Sequence, residues 1–462
     1  MRKTKHRQLV DLVKGKISDG EWAIGSMIPS QRDLAKRCGM NRSTVVAALD
    51  ELKADGLLRT ITGKGTIVAN NSWTLRDEGV PLNWISGLLH RGTETAERVQ
   101  MDETGNKLIR LDRDELVRTM FPARDMQVIM RGVLADWQGT SAGGPNGDPV
   151  LRKAICNHLK EKGIQTSPES VLVTSGATQA LHLITTALVR PGEMLITEDP
   201  SPLSRSAGLR DAGMRLVRLP VDEAGLRPES LPPYEKRRAV LYAMPAFQNP
   251  TGSLMPEERR AELIRLGQRE QISIIEDDSF GDLWIDSPPP LSLKTRDTFG
   301  NVLYIGSLSQ VLGPDFRIGW TVGPKAVIDR LAAVKAEMDG GTSLLQQLAA
   351  AKWLASELHG QHLDYLRRQL RLRREVALEA LEEHLTGRAV WTEPAGGYYI
   401  WVRVNPDSQD RLLFQKAQAK GIAVSPGNGF TSRPGQTFRL SYSLISTAEI
   451  RKGIALLGQI LK

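Results

Sequence analysis

Six short apolar runs, at residues 171–174, 193–197, 239–243, 272–275, 302–305 and 320–322, punctuate a stretch otherwise patterned as helix. Each is too short for a helix, and the apolar character is nearly continuous instead of alternating. Such runs mark strands buried on both faces. Strands of this kind separated by helices predict an α/β domain with a mainly parallel, doubly wound sheet. That architecture also says where to look for function. A ligand in an open α/β sheet sits beyond the carboxyl ends of the strands. At 462 residues the chain exceeds one ordinary domain.

The charge is divided unevenly. Residues 1–70 hold 13 Lys/Arg against 7 Asp/Glu, whereas the whole chain carries only +8. A basic module on a near-neutral body suggests a nucleic-acid-binding head. Its pattern agrees. Apolar residues at 9, 10, 13 and 17 have helical spacing, and Ser30-Gln31-Arg32-Asp33 opens a second helix by capping. That helix stops at Gly39. Asn41 is expected to cap a third, whose Val45, Leu49 and Leu52 share one face before Gly56. Residues 57–68 then alternate around a turn at 62–65, as in a two-stranded ribbon. Together these form a winged helix-turn-helix. Cys38 and Cys156 match no metal-ligand spacing and are read as thiols of a reducing cytosol. Residues 1–7 are basic with no apolar segment after them, and no apolar run approaches ~20 residues; a cytoplasmic protein with no membrane partner is expected.

The residues that follow the predicted strands carry chemistry. After 171–173 come Thr174-Ser175-Gly176-Ala177-Thr178-Gln179, small residues at a helix start, where free N–H groups attract anions. After 242–245 comes Gln248-Asn249-Pro250-Thr251-Gly252. Asp277-Asp278-Ser279-Phe280 follows the next run, and Ser307-Leu308-Ser309-Gln310 the one after, with Arg317 beyond. Residues 394–401 and Thr437-Phe438-Arg439 complete the set.

These strings, in this order, resemble the fold-type-I aminotransferases that use pyridoxal 5′-phosphate (PLP), over residues 115 to 460. The head resembles a GntR-type DNA-binding domain through Gly25, Pro29 to Arg32, Arg42 to Val45 and Gly63-Lys64-Gly65-Thr66. The combination resembles the MocR subfamily of bacterial transcriptional regulators. The resemblance implies a head at 1–70, a linker at 71–114 and a body at 115–462, whose small C-terminal α+β subdomain starts near 345. It implies that Gly176, Ala177, Ser307, Ser309 and Arg317 hold a cofactor phosphate, Asn249 the ring 3′-oxygen and Asp277 the pyridine nitrogen. Arg439 clamps an effector carboxylate. In the head, Arg42, Ser43 and Thr44 face base edges of a double-stranded operator, with Arg32 and Lys64 on the backbone or minor groove. A head-to-tail homodimer pairing two heads is expected.

The chain also departs from that family. Gln310 stands where the family has the lysine that condenses with PLP, and a carboxamide nitrogen, its lone pair delocalised, cannot do so. Phe280 replaces a usual tyrosine, Pro202 or Leu203 offers little surface for ring stacking, and Ala142 stands where a phosphate-reaching tyrosine is expected. The pattern implies a pocket kept for binding a PLP-like or amino-acid-derived effector noncovalently, with no catalytic residue. Two alternatives stay open here: an aminotransferase with an appended head, and a body that serves only for dimerisation.

Overall fold

Ser30 opens the recognition unit as the spacing requires: its Oγ accepts the Asp33 N–H (3.3 Å) and donates to the Asp33 carboxylate (2.7 Å). The computed structural model describes residues 4–18, 21–22, 25–55, 57–61, 65–69, 108–113, 115–116, 118–137, 144–205, 213–231, 238–410, 412–431, 433 and 435–461. The chain divides into two compact units, residues 1–93 and 94–462.

In the first unit, α1 (Lys5–Ser18), α2 (Gln31–Cys38) and α3 (Arg42–Ala54) precede β1 (Leu58–Ile61) and β2 (Gly65–Val68). Gly39 ends α2 in the left-handed region (φ 61°), where a Cβ is disfavoured, and its N–H bonds back to Ala35. Asn41 occupies the cap position of α3 but makes no side-chain cap bond, contrary to expectation; its side chain is exposed and only its carbonyl enters the helix, accepting from Val45 N–H (3.2 Å). Leu9, Val10, Val13, Leu34, Val45, Leu49, Leu52 and Val68 form one buried core. β1 and β2 pair antiparallel from Leu58↔Val68 to Ile61↔Gly65. The tip of that ribbon, with Gly63 and Lys64, lies outside the described residues.

The second unit begins with β3 (Ile109–Arg110), α4 (Ala123–Ala135) and α5 (Pro149–Glu161). Next come β4 (Val171–Thr174), α6 (Ala177–Leu188), β5 (Met194–Asp199), β6 (Arg215–Asp222), β7 (Gly225–Leu226), β8 (Ala239–Ala243), α7 (Glu257–Glu270), β9 (Ser273–Asp277), β10 (Val302–Ser307), the single turn α8 (Ser309–Leu312) and β11 (Gly319–Val322). These strands form one sheet in the order β4-β11-β10-β9-β8-β5-β6-β7. β11 runs antiparallel to both neighbours and β7 antiparallel to β6; the other pairings are parallel. All six apolar runs are strands of this sheet. β6 was not legible, because it lies beside the two-residue β7 near the sheet edge, is half-exposed and carries Arg215, Arg218 and Pro220.

Then α9 (Lys325–Asp339), α10 (Leu344–Leu354) and α11 (Glu357–Leu385) lead to the smaller part, β12 (Ala389–Trp391), β13 (Tyr399–Val404), α12 (Leu413–Ala419), β14 (Ile422–Ala423), β15 (Ser425–Pro426), β16 (Thr437–Ser441) and α13 (Thr447–Gly458). Its antiparallel sheet has the order β12-β13-β16-β15, and α13 packs along α11. α10, although within the expected small subdomain, packs on α4 and α5. Residues 109–113, read from sequence as the end of the linker, belong to the body. β3 pairs with β14, and buried Ile109 and Leu111 join the main core; two residues of strand are too short to show a period. No helix among the described residues is long and apolar enough to cross a membrane.

Candidate functional site

A backbone cup at the start of α6 grows from one close approach. Gly319 of β11 lies opposite both Thr174 of β4 and Ser307 of β10. A Cβ at Gly319 would sit 2.8 Å from Gly176 Cα and 3.0 Å from Ala177 N, so only glycine lets the strand touch the start of α6. Gly176 itself has φ 87°, and Ala177 opens α6, where N–H groups have no partner within the helix. Arg317, exposed, donates to the Ser175 carbonyl (2.7 Å), which places its guanidinium at the cup. Ser307 Oγ accepts from Ser309 N–H (3.1 Å). Ser309 Oγ is buried and finds no partner among the described residues. Gly176, Ala177, Ser307, Ser309 and Arg317 are thus brought together around one cup.

A buried carboxylate cluster lies at the carboxyl ends of the central strands. Asp277 accepts from Tyr242 Oη (2.8 Å) through one oxygen and from Ser279 N–H (3.0 Å) and Oγ through the other. Burial raises the Asp277 pKa above the ordinary carboxylate value, and these hydrogen bonds offset only part of that rise. Glu198, fully buried on β5, accepts from Met244 N–H and Gln248 Nε2 (2.9 Å each). Burial pushes its pKa up to about 7. Gln248 Nε2 also donates to the Pro200 carbonyl (2.8 Å), tying the two cis-proline loops, Asp199-Pro200 and Asn249-Pro250, to one another. Tyr242, Glu198 and Gln248 were missed as site residues. A hydroxyl and a carboxylate inside otherwise apolar strands were the available signal.

Asn249 and Arg439 meet directly, Arg439 Nη1 donating to Asn249 Oδ1 (2.8 Å). The buried guanidinium lies 4.2 Å from the Tyr399 ring centroid and 4.8 Å from that of Phe430. Phe280 is buried edge-on against Tyr398 and Tyr399. Gln310 is the second residue of α8, directly after Ser309 of the cup. Tyr398 Oη donates to its carbonyl, and His362 Nε2 lies 3.0 Å from the carbonyl of Val311, so side chains cap a turn too short to satisfy itself. In the head, Arg32, Arg42 and Ser43 are exposed and Thr44 half-buried, the last three on the first turn of α3. Lys64 and Ala142 lie outside the described residues.

Comparison with known proteins agrees with both units. Residues 125–457 match the family model for aminotransferase class I and II, and residues 5–68 match that for bacterial regulatory proteins of the gntR family. The HTH-type transcriptional regulator YdfD of Bacillus subtilis is 43% identical over 99% of this chain and 96% of its own length. The chain belongs to the GntR-type transcriptional regulators of MocR architecture, with an aminotransferase class I and II domain. The Staphylococcus aureus regulator NorG is 29% identical over 92% of this chain and 97% of its own. Among solved structures, a multiple substrate aminotransferase from Thermococcus profundus superposes with a TM-score of 0.76 at 27% identity, over 82% of this regulator and 98% of that chain. LysN, the α-aminoadipate aminotransferase of Thermus thermophilus complexed with N-(5′-phosphopyridoxyl)-L-leucine, gives 0.75 at 26% identity over the same shares. The protein is therefore a transcriptional regulator whose body has the aminotransferase fold, a fold that typically binds PLP.

Proposed function

We propose that the body of this regulator binds PLP or a PLP–amino acid adduct noncovalently, performs no transamination, and changes how the heads engage an operator. The observation that carries the reading is a cup and clamp kept beside a carboxamide: Ser309 Oγ stands buried without a partner at the cup, while Gln310, the next residue, has no amine to condense with an aldehyde. The cup fits a phosphate because Gly319 and Gly176 keep it clear of Cβ atoms and Arg317 supplies charge. Asp277 fits a pyridinium N–H, since a carboxylate with three donors already in place has acceptor capacity left. Arg439 fits a carboxylate, and Asn249 orients it. When bound, PLP supplies a phosphate dianion, a protonatable ring nitrogen and an aldehyde. The protein's residues bind and orient these groups without attaching them.

In the head, Arg42, Ser43 and Thr44 on α3 read base edges, while Arg32 and Lys64 contact the backbone or minor groove. A head-to-tail homodimer presents two heads to paired half-sites. Control requires the effector to bind one dimer arrangement better than another. The deciding experiment is a calorimetric titration with PLP and with N-(5′-phosphopyridoxyl)-L-leucine, with a visible spectrum of each sample. Saturable binding of either without a new visible band supports noncovalent sensing. No binding of either at millimolar concentration refutes it and leaves the body a dimerisation scaffold. Turnover of an amino acid with a 2-oxo acid above a protein-free control refutes the loss of catalysis.

A further inference from the structure

We infer that residues 109–112, through which the chain enters the body, form a strap whose anchorage depends on whether Arg439 holds a carboxylate. The inference rests on the effector reading above and adds how occupancy leaves the pocket. The strap is laced to the small part of the body along most of its length. Ile109 N–H donates to the Gly421 carbonyl (2.8 Å), Leu111 N–H to that of Ala423 (2.9 Å), and Ser441 N–H to that of Leu111 (2.8 Å). Ile109 and Leu111 are buried against Gly453, where a Cβ would lie 2.9 Å from Leu111 Cδ1.

Asp112 is different. Its carbonyl accepts from Ser425 Oγ (2.8 Å) and from Arg439 Nη2 (3.2 Å), so the candidate clamp itself holds the end of the strap. Arg439 spans a separation of 327 residues to do so. Nη1 donates to Asn249 at 2.8 Å, and Nη2, which has two hydrogens, donates to both Asp112 at 3.2 Å and Ser425 at 3.4 Å. The parallel N–H pairs of a planar guanidinium are Nε with Nη2 and Nη1 with Nη2, so a carboxylate held at two points must displace or share an Nη2 acceptor. The long Nη2 contacts are the weakest and yield first.

The strap can carry that change because it is locally stiff. Arg110 grips the Asp112 carboxylate through Nε (2.8 Å) and Nη2 (2.7 Å), closing residues 110–112 into one bidentate unit. A shift at the Asp112 carbonyl is therefore imposed on the short strand next to it. In sequence, only residues 71–108 separate that strand from the DNA-binding head. A ligand carboxylate thereby acts on the segment that leads to the head, whereas a ligand's ring and phosphate do not.

The test is amide hydrogen exchange on the full chain with two probes that share ring and phosphate. N-(5′-phosphopyridoxyl)-L-leucine has a carboxylate; pyridoxamine 5′-phosphate has none. Both should slow exchange around 175–179. Only the first should speed exchange of the Ile109 and Leu111 amides, by roughly fivefold for the loss of one supporting hydrogen bond. Ser425→Ala, which removes the other hold on Asp112, should speed the same amides without any ligand and shift DNA affinity in the same direction as the leucine adduct. Saturable binding of the adduct with unchanged exchange at 109–112 overturns the strap and leaves effector binding standing. Equal effects of both probes overturn the dependence on Arg439. If calorimetry shows that neither probe binds, the effector reading falls and the strap with it.

Discussion

Gly319→Ala tests the anion cup most directly, because the obstruction can be read from the backbone. The new Cβ would lie 2.7 Å from Gly176 C, 2.8 Å from Gly176 Cα and 3.0 Å from Ala177 N, where ordinary contact begins at 3.4 Å. The start of α6 must therefore retreat by about 0.7 Å, the difference between the shortest contact and that limit. No flexible side-chain end is available to absorb it, so overpacking should cost about 1–3 kcal/mol of stability. The same retreat moves the Ala177 N–H beyond hydrogen-bond range of a phosphate oxygen seated in the cup. Losing one charge-assisted bond costs about 1.5–3 kcal/mol, or roughly 10–100-fold in affinity. The assay is calorimetry with PLP and with pyridoxal, which lacks the phosphate. Gly319→Ala should weaken PLP by that factor and leave pyridoxal unchanged. Gly360→Ala on α11, where nothing lies within 4 Å of the new Cβ, is the control and should change neither. A folded Gly319→Ala protein that binds PLP as tightly as wild type would refute the placement of the phosphate.

Further predictions concern the head, Gln310 and Glu198. Arg42→Ala should cost about 1–3 kcal/mol of discrimination between the operator and a scrambled duplex; unchanged selectivity in a competition assay removes its base-reading role. Gln310→Lys should acquire visible absorbance with PLP and a borohydride-fixed adduct on the peptide containing residue 310, and a colourless variant that still binds PLP contradicts its placement. Glu198 has a folded pKa raised from 4.5 to about 7, so its stabilising contribution is full below pH 4.5 and is lost as pH rises through 7. The stability of wild type relative to Glu198→Gln should therefore fall by up to ~3 kcal/mol between pH 5 and 8. Denaturant titrations in which that difference stays flat from pH 5 to 8 would show that Glu198 is ionised throughout.

The division between sequence and tertiary structure follows the range of the forces involved. Ser30, Gly39 and the apolar face of α3 were legible because caps, left-handed turns and helical periods are set within a few residues. The order of polar strings after the strands was legible too, since a parallel sheet delivers every strand end to one edge. Asn41 misled because a capping residue type at the right position still needs its side chain turned toward the helix. Tyr242 and Glu198 were hidden because a polar residue in a buried strand does not say what it faces; only the folded sheet and its loops bring Asp277 to the first and Gln248 to the second. The anchorage of residues 109–112 was hidden most completely. Arg439 recognises the Asp112 carbonyl, a backbone group that every residue type carries, so no side-chain pattern could announce a contact that exists only because folding closes a loop of 327 residues.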